Sequence, residues 1–384
     1  MSITGDHLNR LSGGARFIPP PEPLREVFPY TVLETWRRHM RGSAASSENV
    51  MFRLKVLEAH GPYPTDPAKA AELRHFRAVK ASWDTYLFSA YACGMFQEGG
   101  GGKGRDLLGR LRGLDNGGFR SAMAECMTCW FFAGKMGLSV EPYAPGRGGK
   151  KLDMRLLVDG NWIGVEVKSP FRERPKPPPG KSTITWCGDD ADKIKQCMED
   201  ANKQFCDDRP NLLVIVPELR MHVFSHRRDV VKAAYGQSKI TFWVDTQTGE
   251  SGPVEVKLFQ DGKFLNKSRP NGKPLKPDGL PAYRRISAIL CLEEKVVDKY
   301  PPPTHSFVLS LFDQERLRRI WPILKKAWDL YYSRNNEKWV EHDVIVLHNP
   351  YAYHALSPEM WRAFPQLVFV DGEMRWTDGY RMDA

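Results

Sequence analysis

Residues 152–170 read LDMRLLVDGNWIGVEVKSP, and the register of this stretch decides the fold. At its centre stands Asp159-Gly160, a dipeptide suited to the positive φ angles of a two-residue type I′ turn. A hairpin closed there pairs Val158 with Asn161 and, counting outward, Asp153 with Glu166. Strand side chains alternate between faces, so Lys168 lies two residues along from Glu166 on the same face, and Arg155 shares it. The other face carries Leu152, Met154, Leu156, Val158, Ile163, Val165 and Val167, all apolar. One side of the hairpin is therefore expected in a core. The other presents two carboxylates and an ammonium, as a metal site with a positive neighbour or as a salt-bridged surface.

Converging carboxylates repel unless a cation sits between them. Mg²⁺ prefers hard oxygen donors of this kind, completed by a carbonyl and waters. It polarises a phosphoryl oxygen and lowers the pKa of a bound water, while a nearby lysine can offset charge in the transition state. Asp, Glu and Lys on one strand face thus suit phosphodiester hydrolysis.

The surroundings alternate helix and strand. Phe119–Met136 has helical spacing and contains Glu125, Cys126 and Cys129, the cysteines reading as core thiols. After the hairpin come a basic, proline-rich loop, a helix from about Asp189 to Cys206, a strand at Leu212–Val216, a helix near Arg228–Tyr235 and a strand at Ile240–Val244. Further strands are expected at Ile286–Leu292, Phe307–Phe312, Val344–Leu347 and Leu367–Val370, with a helix at Glu315–Arg334. Upstream, Asp66-Pro67 is an N-cap and first turn for a long helix. The expected class is α/β, a mixed sheet flanked by helices and preceded by a helical region. The divisions are an irregular arm at 1–23, a helical region at 24–117 and an α/β domain at 118–384 with a polar insertion at about 246–283.

The pattern D-x(n)-E-x-K across a hairpin, with a glutamate on the preceding helix and a helix then a strand following, resembles the PD-(D/E)XK nuclease superfamily over residues 118–245. Its fold is called restriction-endonuclease-like. The resemblance implies a Mg²⁺-dependent endonuclease acting on DNA, with Mn²⁺ as a possible substitute. Asp153, Glu166 and Glu125 would be metal ligands together with the carbonyl of Val167, Lys168 the catalytic lysine and Gln204 an accessory polar group. Arg155 could hold a phosphate. Leu152, where the named motif has proline, is a departure.

E-x-K occurs three times, at Glu166/Lys168, Glu255/Lys257 and Glu293/Lys295. Glu255 has an upstream acid, Asp245, whereas Glu293 has none in register, and the defined turn with its apolar reverse face favours the first copy. Gly99–Gly102 is a flexible break that lacks the P-loop spacing. The 56 Lys and Arg against 46 Asp and Glu give a net charge of +10, which favours a polyanionic partner. Arg147, Lys150, Lys151, Arg172, Arg174 and Lys176 flank the hairpin as nucleic-acid contacts. An RNA substrate stays open, as does a homodimer surface on the N-terminal helices. An odd seven cysteines and the lack of an apolar membrane-length run lead to the expectation of a cytoplasmic protein with no membrane partner. The alternatives are a nucleic-acid-binding protein with an inactive nuclease-like core and a non-enzymatic, partner-binding α/β protein.

Overall fold

The computed structural model describes residues 27–42, 47–59, 61–97, 103–170, 191–217, 227–241, 255–259, 262–266, 278–298, 338–370 and 373–377. The arm at 1–23, the Gly99–Gly102 break, the loop with Arg172, Arg174 and Lys176, the strand expected at Phe307–Phe312 and the helix expected at Glu315–Arg334 lie outside them.

Helices α1 (Tyr30–Gly42), α2 (Ser47–Leu57), α3 (Pro67–Ala92), α4 (Lys103–Arg112) and α5 (Asn116–Trp130) come first. Asp66 caps α3 as its sequence implies, accepting from the Ala68 amide at 2.9 Å, with Pro67 in the first turn. The chain continues through β1 (Ser139–Pro142), β2 (Met154–Val158), β3 (Asn161–Lys168), α6 (Ala191–Gln204), β4 (Asn211–Ile215) and α7 (Arg227–Tyr235). Then follow β5 (Gln237–Thr241), β6 (Glu255–Phe259), β7 (Ala288–Asp298), β8 (Lys338–His348), β9 (Gln366–Val370) and β10 (Glu373–Trp376).

Asp159 and Gly160 adopt φ of 48° and 79°, the two positive angles of a type I′ turn. The β2–β3 register accordingly runs from Val158 against Asn161 to Met154 against Val165. Among the described residues one sheet has the order β1-β2-β3-β4-β7-β8-β9-β10. Its β3–β4, β4–β7 and β8–β9 pairs are parallel and the others antiparallel, a mixed sheet in an α/β fold. Of the strand expected at Ile240–Val244, Ile240 and Thr241 fall in β5, which starts at Gln237 and pairs with β6 in a separate two-stranded sheet, and 242–244 lie outside the described residues.

Each face of the main sheet buries its own core. Met154, Leu156, Ile163, Val165 and Val167 pack with Trp83, Leu87, Phe119 and Met127 of α3 and α5, so the N-terminal helices share a core with the sheet. Leu213, Ile215, Ile289 and Ile345 pack on the opposite face with Ile194, Met198 and Ala201 of α6 and Val230 of α7. Cys126 and Cys129 are buried thiols. Among the described residues no helix is long and apolar enough to cross a membrane.

Candidate functional site

The site forms where β2 parts from β3. The β1–β2 hairpin continues past its strands: Tyr143 N donates to Asp153 O at 3.0 Å, Leu152 N to Ala144 O at 2.9 Å, and Gly146 N to Lys150 O at 2.8 Å. The β2–β3 ladder, by contrast, ends at Met154 and Val165. From Asp153 backwards β2 follows β1 and leaves β3.

This divergence has two consequences. In β3 the even-numbered backbone groups face β4, as Gly164 N to Pro210 O and Val216 N to Lys168 O establish. The amide and carbonyl of Val167 therefore face the side that β2 has vacated. The Asp153 carboxylate takes the place of a strand partner, its Oδ2 accepting from Val167 N at 2.9 Å. The second consequence corrects the sequence reading. Leu152 was expected beside Met154, but the bend at Asp153 carries it into the α6 core, where it approaches Gly164. A methyl on Gly164 would come within 2.8 Å of Leu152 and 2.6 Å of Asn211, so this position takes only glycine without repacking.

Asp153 and Glu166 are 6% and 2% exposed, unusual for acidic side chains unless they are partnered. Lys168 Nζ lies 2.8 Å from Glu166 Oε1. Burial opposes the Lys168 charge, but Glu166 and then Asp153 outweigh it and raise its pKa above the ordinary lysine value. The register expects Asp153 against Glu166, but the ladder stops one pair short; Lys168 bonds Glu166, and its charge is also favoured by Asp153.

Glu125 is buried in α5 and turned to a partner that sequence reasoning missed. Arg110, on α4, bonds both its oxygens, Nη1 to Oε1 at 2.7 Å and Nη2 to Oε2 at 3.2 Å. Arg110 also donates to Asp106 at 2.9 Å and to Ser121 at 3.2 Å. Burial lowers the Arg110 pKa, yet Glu125, Asp106 and Asp153 more than reverse this, leaving it raised. Among the described residues no three Asp, Glu, His or Cys side chains converge as a metal-ligand set. Tyr143, also unanticipated, holds φ of 56° directly across from Asp153 and bonds Met95 O through its hydroxyl. A positive φ in a non-glycine residue costs about 1–3 kcal/mol, and such strain concentrates at functional sites.

On the α6 side, Cys197 and Asp200 lie within electrostatic reach of Lys168, and Lys193 and Gln204 fall on the same helix face by spacing. Burial raises the Cys197 thiol while Lys168 draws it down. Partial burial opposes the Asp200 charge, but Lys203, Gln196 and Lys168 hold its carboxyl below its ordinary value. Gln204 is half-buried at the end of this face. Arg155 shares the hairpin's polar face, but its guanidinium is engaged by Glu141 Oε2 at 2.7 Å and stacks 4.0 Å from the Trp162 ring centroid. It lines an open groove of about 730 Å³ at the turn end of the hairpin, together with Trp162, Arg209 and His354. Arg147, Lys150 and Lys151 cluster at the tip of the extended β1–β2 hairpin, against the C-terminal end of α6.

The other E-x-K copies fall elsewhere. Glu255 and Lys257 lie on β6 in the two-stranded sheet, and Asp245 lies outside the described residues. For Glu293 the reading needs correction: β8 brings Asp343 directly opposite it, and Lys295 bonds Asp343. Pairing across so long a stretch of chain leaves no local signal.

Arg110 was accessible in principle, because Asp106 and Arg110 stand four apart on an amphipathic segment with Leu107 and Leu111 buried. Compared with models of protein families, with curated proteins and with solved structures, the chain has no match.

Proposed function

We propose that this protein is a Mg²⁺-dependent nuclease that hydrolyses phosphodiester bonds of DNA at the β2–β3 fork, with Mn²⁺ an effective substitute. One observation carries the reading. Two buried carboxylates, Asp153 and Glu166, meet where a strand pair opens, beside a lysine held in its charged form. The α/β fold, the preceding helix with Glu125 and the α6 face with Gln204 keep it in line with the PD-(D/E)XK resemblance.

The donor set fits a hard divalent ion. Asp153 and Glu166 supply carboxylate oxygens, and the Val167 carbonyl faces the same opening. Bound there, Mg²⁺ would polarise a phosphoryl oxygen and lower the pKa of a coordinated water. Lys168 serves as a fixed ammonium that offsets charge gathering on the phosphoryl oxygens, since its raised pKa makes it a poor proton acceptor. Arg147, Lys150 and Lys151 are placed to hold the phosphate backbone, which gives affinity without sequence preference.

The test is incubation with supercoiled plasmid in Mg²⁺ or EDTA, with a structured RNA in parallel. Nicking that requires the metal and disappears in Asp153→Asn supports the reading. Salt-sensitive DNA binding without nicking leaves a binding protein, and cleavage of RNA alone corrects the substrate.

A further inference from the structure

The site contains a cation of its own. Arg110 is fixed by two bonds to Glu125, one to Asp106 and one to Ser121, and its charge reaches Asp153. Glu125 is 4% exposed and gives both carboxylate oxygens to the guanidinium. A planar fork matched to a carboxylate in this way is geometrically specific, and in a buried setting it is hard to replace. A metal ion recruiting Glu125 would have to strip both bonds and leave the guanidinium beside it without its main counter-charge.

Resting on the nuclease reading above, we propose that Glu125 is a positioning residue for Arg110 and not a metal ligand. Arg110 supplies the fixed positive charge on the α4–α5 side of the fork, and the site binds one divalent ion through Asp153 and Glu166. Arg110 and Lys168 are then two cations whose charge acts on Asp153, each tied to its own glutamate.

Counting Mn²⁺ bound per chain by electron paramagnetic resonance of the free ion tests this without relying on turnover. The unmodified protein is expected to bind one ion. Asp153→Asn should weaken that binding at least about tenfold, whereas Glu125→Gln should leave it within about threefold and still lower kcat about 10²-fold. Arg110→Lys, which keeps the charge, should retain more activity than Arg110→Met. The proposal is overturned, with the nuclease reading intact, if wild type binds two ions or if Glu125→Gln weakens Mn²⁺ as much as Asp153→Asn. Unchanged Mn²⁺ binding in Asp153→Asn overturns both. The wild-type count needs no variant, so a misfolded Glu125→Gln cannot shelter the idea.

Discussion

Two places on one sheet carry Asp, Glu and Lys. Where β2 parts from β3, Asp153 stands just beyond the last pair, Met154 against Val165, with Glu166 the next residue on β3 and Lys168 two residues on. On β8 and β7, Asp343 stands across from Glu293, with Lys295 two residues on. The residue types are identical, but the surroundings are not. The β7–β8 ladder runs unbroken from Ala288–His348 to Asp298–Lys338, so its backbone groups are paired by the strands themselves. Lys295 and Asp343 meet at the surface, with side chains 49% and 37% exposed. At the fork the ladder stops, a carboxylate enters to satisfy the Val167 amide, and the side chains of Lys168 and Glu166 are 24% and 3% exposed. Glu293 is as buried as Asp153, at 5% exposure, so burial alone does not separate the two places; the broken ladder does, and chemistry is expected where strand pairing fails.

The largest expected effect separates the two places. Asp153→Asn should reduce the initial rate of Mg²⁺-dependent plasmid nicking by about 10³-fold or more, while Asp343→Asn leaves it within about twofold. Equal losses would break the comparison.

Next in size is the pair of lysines. Lys168→Met should cost about 10²-fold in kcat, the scale for losing one group that stabilises transition-state charge, and Lys295→Met should cost nothing measurable. Nicking rates at saturating plasmid decide it. A Lys295 effect as large as that of Lys168 would move the site to β7.

How far the site was legible follows from what is local. Asp159-Gly160 and the alternation around it contain the turn and the register as far as Met154 against Val165, because a two-residue turn leaves no freedom in pairing; the expected pairing of Asp153 with Glu166 is not part of the ladder. The bend at Asp153 was not legible. It depends on β1, whose Ser139-Val140-Glu141-Pro142 lacks a strand pattern and is defined only by its partner β2. Spacing ties Arg110 to Asp106, but only the packing of α4 on α5 brings it to Glu125. Asp343 was beyond reach, since only the sheet order places β8 beside β7.

Behind the same β7–β8 pair lies a polar cluster that sharpens the contrast with the fork through pH. Glu294 stands directly opposite His342, and Tyr86 from α3 bonds both, at 2.5 Å to His342 Nε2. Burial raises the Glu294 carboxyl to about 7, and burial lowers His342 to about 4. The carboxyl of the folded protein therefore holds its proton from its ordinary value of 4.5 up to about 7. Its contribution to stability is complete below 4.5 and is lost as pH rises through about 7. His342 works the other way, its contribution present above 6.5 and lost as pH falls through about 4. Glu294→Gln removes only the first dependence. The variant should match wild type near pH 5 and exceed it near pH 8 by on the order of 1–2 kcal/mol, read from urea unfolding at both values. A difference that does not grow with pH would show the carboxyl to be ionised throughout, as the carboxylates at the fork must be to hold a metal.

The smallest expected effect is the coupling of Lys295 with Asp343, and it calibrates the whole comparison. A half-exposed cross-strand ion pair gains little, because water screens it and two side chains must be ordered. A double-mutant cycle with Lys295→Met and Asp343→Asn should give a coupling of about 0.2–1 kcal/mol that shrinks further in 0.5 M salt, about one Debye length of screening being enough at such exposure. The matching cycle with Lys168→Met and Glu166→Gln, measured without metal, should give a larger coupling that salt hardly changes, because Glu166 is buried and Lys168 mostly so. Similar couplings in the two cycles would mean that the fork does not differ electrostatically from an ordinary strand pair. The case for chemistry at Asp153 and Glu166 would then lose its physical basis, whatever the sequence pattern.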